Sequence, residues 1–169
     1  MGFNYNDALS AFLILFAVID ILGNIPIIVS LRKKVGHVQS EKATIVAGAI
    51  MIVFLFVGES ILNLLGVNVQ SFAIAGSLVI FFLALEMVLG ISLYKEETPN
   101  TASIVPIAFP LIAGAGTMTS LVSIRAEFAT VNILIAIVAN MIVVYAVLKN
   151  TERLERILGI GGLSILRKV

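Results

Sequence analysis

Five apolar stretches, over residues 8–31, 43–65, 69–94, 104–124 and 131–148, each reach or approach the roughly 20 residues that a helix needs to cross a bilayer. Such helices must either be buried on every side or face lipid. Burial fails on composition: 60% of the residues are hydrophobic and only 12% are charged, about half the charge that coats a soluble domain. The expectation is an all-α, polytopic transmembrane protein whose backbone groups are satisfied within each helix. A sixth stretch, 154–166, starts in the same way but is too short to span.

The charges between the stretches suggest an orientation. Arg32, Lys33, Lys34, Lys42, Lys95, Lys149, Arg153 and Arg156 fall on one side of the spans, and Arg125 falls on the other. Positive residues accumulate in cytoplasmic loops, so the N-terminus is expected on the non-cytoplasmic side. Residues 1–7 contain no Lys or Arg, and no small-residue cleavage site follows the first stretch. That stretch is therefore expected to be retained and not removed as a signal.

Composition also excludes several chemistries. With 11 basic and 10 acidic residues there is no basic stripe for a nucleic-acid partner. With no cysteine and the single histidine His37, disulfides and thiolate chemistry are excluded and only oxygen-ligand metal sites stay open; no metal ligand is assigned. No phosphate-cradling Gly-x-x-x-x-Gly-Lys-Ser/Thr occurs, so no nucleotide or other cofactor is implied. Membrane lipid is the one partner that composition demands.

An internal repeat organises the rest. A shift of 93 residues pairs Phe16 with Phe109, Gly23 with Gly116, Ser30 with Ser123, Arg32 with Arg125, Gly66 with Gly159 and Ser71 with Ser164. Between these, a shift of 90 pairs Ala49-x-Met51-Ile52-Val53 with Ala139-x-Met141-Ile142-Val143. Three spans per unit give the second unit opposite polarity, an inverted repeat of three helices plus three helices. The chain then reads as one transmembrane domain, 1–169, with a first repeat over 1–94 and a second, incomplete repeat over 101–169. On this reading the sixth helix is truncated.

Two clusters interrupt the apolar stretches. In the first, Asp20, Gly23, Asn24 and Pro26 combine a charge that is costly in lipid, a weak helix former and a helix-blocking ring. In the second, Pro106, Pro110, Gly114, Gly116, Thr117 and Thr119 repeat the device. Both predict helices that open within the membrane, where freed N–H groups and carbonyls can hold a small polar solute. Two half-helix N-termini facing one cavity would favour an anionic group such as a carboxylate. The expected substrate-binding residues are Asp20, Gly23, Asn24, Pro26, Gly114, Gly116, Thr117 and Thr119. Asp20, Glu59 and Glu86 are the proton-coupling candidates, because a carboxyl in apolar surroundings holds its proton. Asn140 is expected to join helices, and the pairs Ala43/Ala47 and Ala73/Ser77 to allow close helix approach.

The clusters resemble signatures of the MarC family of membrane proteins, which includes small neutral amino-acid transporters of the SnatA type. Asp20-Ile-Leu-Gly-Asn-Ile-Pro26 is similar to the family's Asp-Pro-x-Gly-Asn-x-Pro. Pro110-Leu-Ile-Ala-Gly-Ala-Gly-Thr-Met-Thr119 is similar to its Pro-Leu-x-x-Gly-Pro-Gly-Thr-x-Thr, with Ile21 and Ala115 standing where the family has proline. The resemblance implies a six-helix inverted-repeat fold in a bacterial inner membrane. It also implies proton-coupled transport of glycine- or alanine-like amino acids between helices 1 and 4. A non-transporting scaffold or regulatory protein is the alternative reading. An intramembrane hydrolase ranks behind both for want of a nucleophile or an acid pair. Nothing in the residues sets an oligomeric state.

Overall fold

A computed structural model describes residues 2–35, 39–68 and 107–166, together with residues 70, 71, 74, 75, 78, 81, 85 and 89. Glu86, Pro106, His37, the loop carrying Lys95 and most of the 69–94 stretch lie outside the described residues.

The described residues form helices and no strand: α1 (Tyr5–Ile19), α2 (Ile25–Val35), α3 (Ser40–Leu64), a π-helical turn (Ile107–Ile112), α4 (Ala115–Arg125), α5 (Thr130–Lys149) and α6 (Thr151–Leu166). The first stretch is thus divided into α1 and α2, and the fourth into the π-turn and α4. Helices α3 and α5 are each long and apolar enough to cross a membrane.

α5 is the centre of the packing. It runs parallel to α1, since Asn132 Oδ1 accepts the Asn4 N–H (3.1 Å) and, two turns on, Asn140 Nδ2 donates to the Phe12 carbonyl (3.1 Å). It runs antiparallel to α3, whose first turn meets the end of α5 through Tyr145 Oη donating to Glu41 (3.1 Å). The small residues Ala43, Ala47 and Gly48 let these two helices close up; a Cβ on Gly48 would stand 3.2 Å from the Met141 side chain. α4 packs against both α1 and α3, and α2 packs against α6.

Helices α1, α3 and α5 each bury one stripe of apolar side chains and expose another. On α1, Ala11, Leu15 and Ile19 are buried while Leu9, Leu13 and Ile14 are exposed. On α5, Ile133, Ile137 and Val144 are buried while Ile135, Val138 and Ile142 face outward. A soluble bundle would set polar residues on those outer faces. Exposed apolar surface on this scale matches a lipid surround.

Glycine closes the α3 helix. Gly66 takes φ 70°, and the Val67 N–H returns to the Leu62 carbonyl at 2.9 Å, a left-handed helix stop that a side chain would strain. Gly159 takes φ 60° inside α6 and kinks it. The boundary expected between the fifth and sixth stretches, at residues 149–153, is therefore only a change of helix at Asn150; the sharper turn comes at Gly159.

Candidate functional site

The first break is a short, self-contained knot. Asp20 adopts the left-handed conformation (φ 45°, ψ 47°) and ends α1, its N–H still bonded to the Phe16 carbonyl. Aspartate tolerates that region better than most residues because its side chain can bond locally. Here it does so: Oδ1 accepts the Gly23 N–H at 3.2 Å, three residues on, within the turn that precedes α2. Gly23 is glycine because of this contact; a Cβ would stand 2.8 Å from Asp20 Cγ and press into the carboxylate. Asn24 faces the other way, its Nδ2 donating to the carbonyl of Ile19 at 3.1 Å and satisfying the open end of α1. Pro26 falls in the first turn of α2, where its missing N–H costs no hydrogen bond.

The second break begins with Pro110. Residues before proline avoid the α region, and Phe109 is extended (φ −141°, ψ 128°) in the middle of the π-turn. The wide turn closes by the Ala113 N–H bonding to the Ala108 carbonyl at 3.0 Å. Gly114 is extended and is the N-cap of α4, with no side chain to cap the first N–H groups. Thr117 Oγ1 donates back to the Ile112 carbonyl at 2.8 Å, and Gly116, Thr117 and Thr119 are all buried.

The two breaks share a bond. Asn24 reaches Ile19 and Thr117 reaches Ile112, each five residues back, and both donors and both acceptors stand 93 residues apart. The two positive-φ glycines among the described residues, Gly66 and Gly159, stand at the same spacing. One feature is not shared: the position 93 residues after Asp20 is Ala113, which has no carboxylate. The first N–H groups of α4 have no partner within their helix, and its N-cap Gly114 brings no side-chain hydrogen bond, whereas Asp20 holds the Gly23 N–H in the turn before α2.

The expected site residues divide accordingly. Asp20, Gly23, Asn24 and Pro26 come together in the first break, and Gly114, Gly116, Thr117 and Thr119 in the second. Ile19 and Ile21 from one break and Ile112 and Ala113 from the other lie in a single buried cluster. Asn24 and Thr117, expected as ligands, each spend a hydrogen bond on the backbone. Asp20 is exposed and Thr117 is 2% exposed, so the two breaks also differ in burial.

Glu59 is exposed near the end of α3, and the Arg125 guanidinium sits one turn away on the carbonyls of Leu55 (2.5 Å) and Phe56 (3.2 Å). No basic residue lies within a turn of Glu59 in sequence; in space the Arg125 side chain comes to carbonyls one turn before it on α3. Asn140 joins α5 to α1 as expected, bonding also to Ala136 at 2.9 Å. Sequence reasoning missed Asn132. It is fully buried, holds the Asn4 backbone and lies 3.4 Å from Asp7 Oδ2. Its spacing of eight from Asn140, two polar residues on one face of an apolar helix, was the available signal.

A helical bundle apolar inside and out, with helix ends opened inside its apolar segments, defines an α-helical integral membrane protein. The chain belongs to the MarC family: the profile described as "MarC family integral membrane protein" matches residues 5–169. A UPF0056 membrane protein of Buchnera aphidicola subsp. Schizaphis graminum is 29% identical over 99% of this chain and 85% of its own length. The UPF0056 membrane protein MJ1677 of Methanocaldococcus jannaschii is 27% identical over 94% of this chain and 85% of the relative. The UPF0056 inner membrane protein YhgN of Escherichia coli K12 is 28% identical over 97% of this chain and 88% of the relative. No solved structure matches.

Proposed function

We propose that this protein is a secondary transporter of small neutral amino acids, glycine- or alanine-like, that alternates access around its two helix breaks. One observation carries the reading: the breaks repeat the same side-chain-to-backbone bond but only the first carries a carboxylate. The uncapped start of α4 is then suited to a carboxylate brought by the substrate, which would meet N–H groups and the positive helix end. The substrate ammonium has Asp20 Oδ2 and the Asn24 and Thr117 oxygens as acceptors. Small side chains suit a site framed by Gly114, Gly116 and Gly23.

The matched hydrogen bonds and the matched glycines support an inverted repeat of three plus three helices. The distribution of Lys and Arg supports an N-terminus outside the cytoplasm, and the YhgN relative's name supports an inner-membrane location. Proton coupling rests on Asp20 and on Glu86.

Uptake tests this reading. Proteoliposomes holding the protein should accumulate labelled glycine or alanine under an inward proton gradient and lose the accumulation on adding a protonophore. Absence of both uptake and counterflow across the common amino acids would overturn the reading and favour a scaffold.

A further inference from the structure

Arg32 near the end of α2 forms an ion pair with Glu152 in the first turn of α6. Arg125 lies 93 residues after Arg32, and Glu152 lies 93 residues after Glu59. The partner implied for Arg125 is therefore Glu59. In the structure the Arg125 guanidinium lies on the Leu55 and Phe56 carbonyls, four and three residues before Glu59 on α3. Helical side chains lean toward the N-terminus of their helix, so the Glu59 carboxylate leans toward that guanidinium. Glu59 thus stands one helical turn beyond those carbonyls on the same helix.

The pairs lie at opposite ends of the bundle. Glu152 follows Lys149, and Lys149 meets Glu41 (3.8 Å) in the first turn of α3. Leu55 lies about 21 Å further along α3 at 1.5 Å per residue. We infer that Arg32–Glu152 and Arg125–Glu59 are two copies of one gate, each pair made when its end of the transport pathway closes. This inference rests on the transporter reading above. The observed pair is partly exposed, so at a closed end it gains a modest screened attraction, which an open end gives up to water. Pairing and closure are therefore linked. The conformer described here has the Arg32 end closed, with Arg125 held on backbone carbonyls beside its waiting partner.

The natural chain has no cysteine, so one introduced cysteine reports alone. With Leu22→Cys in sealed vesicles, labelling by a membrane-impermeant maleimide is measured from each side. Glu152→Gln should raise labelling from the Arg32 side, and Glu59→Gln should raise it from the Arg125 side, each by about two- to fivefold for a partly exposed pair. The swaps Arg32→Glu with Glu152→Arg, and Arg125→Glu with Glu59→Arg, should return labelling toward the parent. Unchanged labelling, the same side responding to both glutamines, or swaps that restore nothing would overturn the gate. Labelling needs no substrate movement. Responsive labelling without uptake would sink the transporter reading alone, and uptake with unresponsive labelling would sink the gate alone.

Discussion

At Asp20 the chain leaves α1 carrying its own carboxylate and uses it to hold the Gly23 N–H in the turn before α2. At Ala113, ninety-three residues later, it leaves the π-turn with a methyl group, and α4 starts from Gly114 with no side-chain cap. The backbone problem is the same in both places: a helix end inside an apolar segment with N–H groups and carbonyls to satisfy. The carbonyl side is met alike, by Asn24 on Ile19 and by Thr117 on Ile112. The N–H side is met at Gly23 in the first break, while the N-cap of α4 brings no side-chain bond in the second. On the proposed reading the second break takes the carboxylate of the substrate, which gives the pair a polarity that repetition alone would not.

Substitutions can erase that difference from either direction. Ala113→Asp supplies the second break with the missing carboxylate. It is expected to lower apparent affinity for a carboxylate substrate by roughly tenfold or more, since like charges in one site oppose each other. Uptake titrations check this, with Ala113→Ser as a neutral control of similar polarity. Asp20→Ala opens the first break. Loss of the bond to Gly23 should cost about 1 kcal/mol of stability and abolish uptake, with Asp20→Asn recovering the stability but not the uptake; thermal unfolding in detergent separates the two. Gly23→Ala should act in the same direction and more weakly, by displacing the Asp20 carboxylate. Thr117→Val removes the bond to Ile112 and should cost about 1 kcal/mol, whereas Thr117→Ser should be silent. Asn140→Ala touches neither break, and its stability cost should be about 0.6 kcal/mol with affinity unchanged. An affinity loss there equal to that of Asp20→Ala would contradict the division between site and scaffold.

Much of this was readable from residues alone, for identifiable reasons. Pro110 forces Phe109 out of the helix whatever surrounds it, and Asp, Gly and Pro within seven apolar-flanked residues announce the first break. Local chemistry of that kind survives any tertiary context. What escaped was set by tertiary contact or by exact dihedrals. Glu59 looks remote from positive charge in sequence, yet Arg125 comes from a different helix onto the Leu55 and Phe56 carbonyls, one turn before it. Gly23 reads as a helix weakener, yet its role is to make room for a carboxylate three residues back. Asn24 and Thr117 read as ligands because polar residues at a break could bond either a solute or the backbone. Only coordinates show that part of their capacity is already used. The stop at Gly159 was marked by the repeat, through Gly66, before hydropathy could place it.

The central claim is that the uncapped start of α4 takes the substrate's carboxylate, and competition for labelled-glycine uptake in proteoliposomes tests it most directly. Unlabelled glycine and glycinamide differ little in size, but only glycine carries the anion. The account predicts that glycine competes and glycinamide does not, with Ala113→Asp weakening competition by glycine. Equal competition by the two compounds would contradict it.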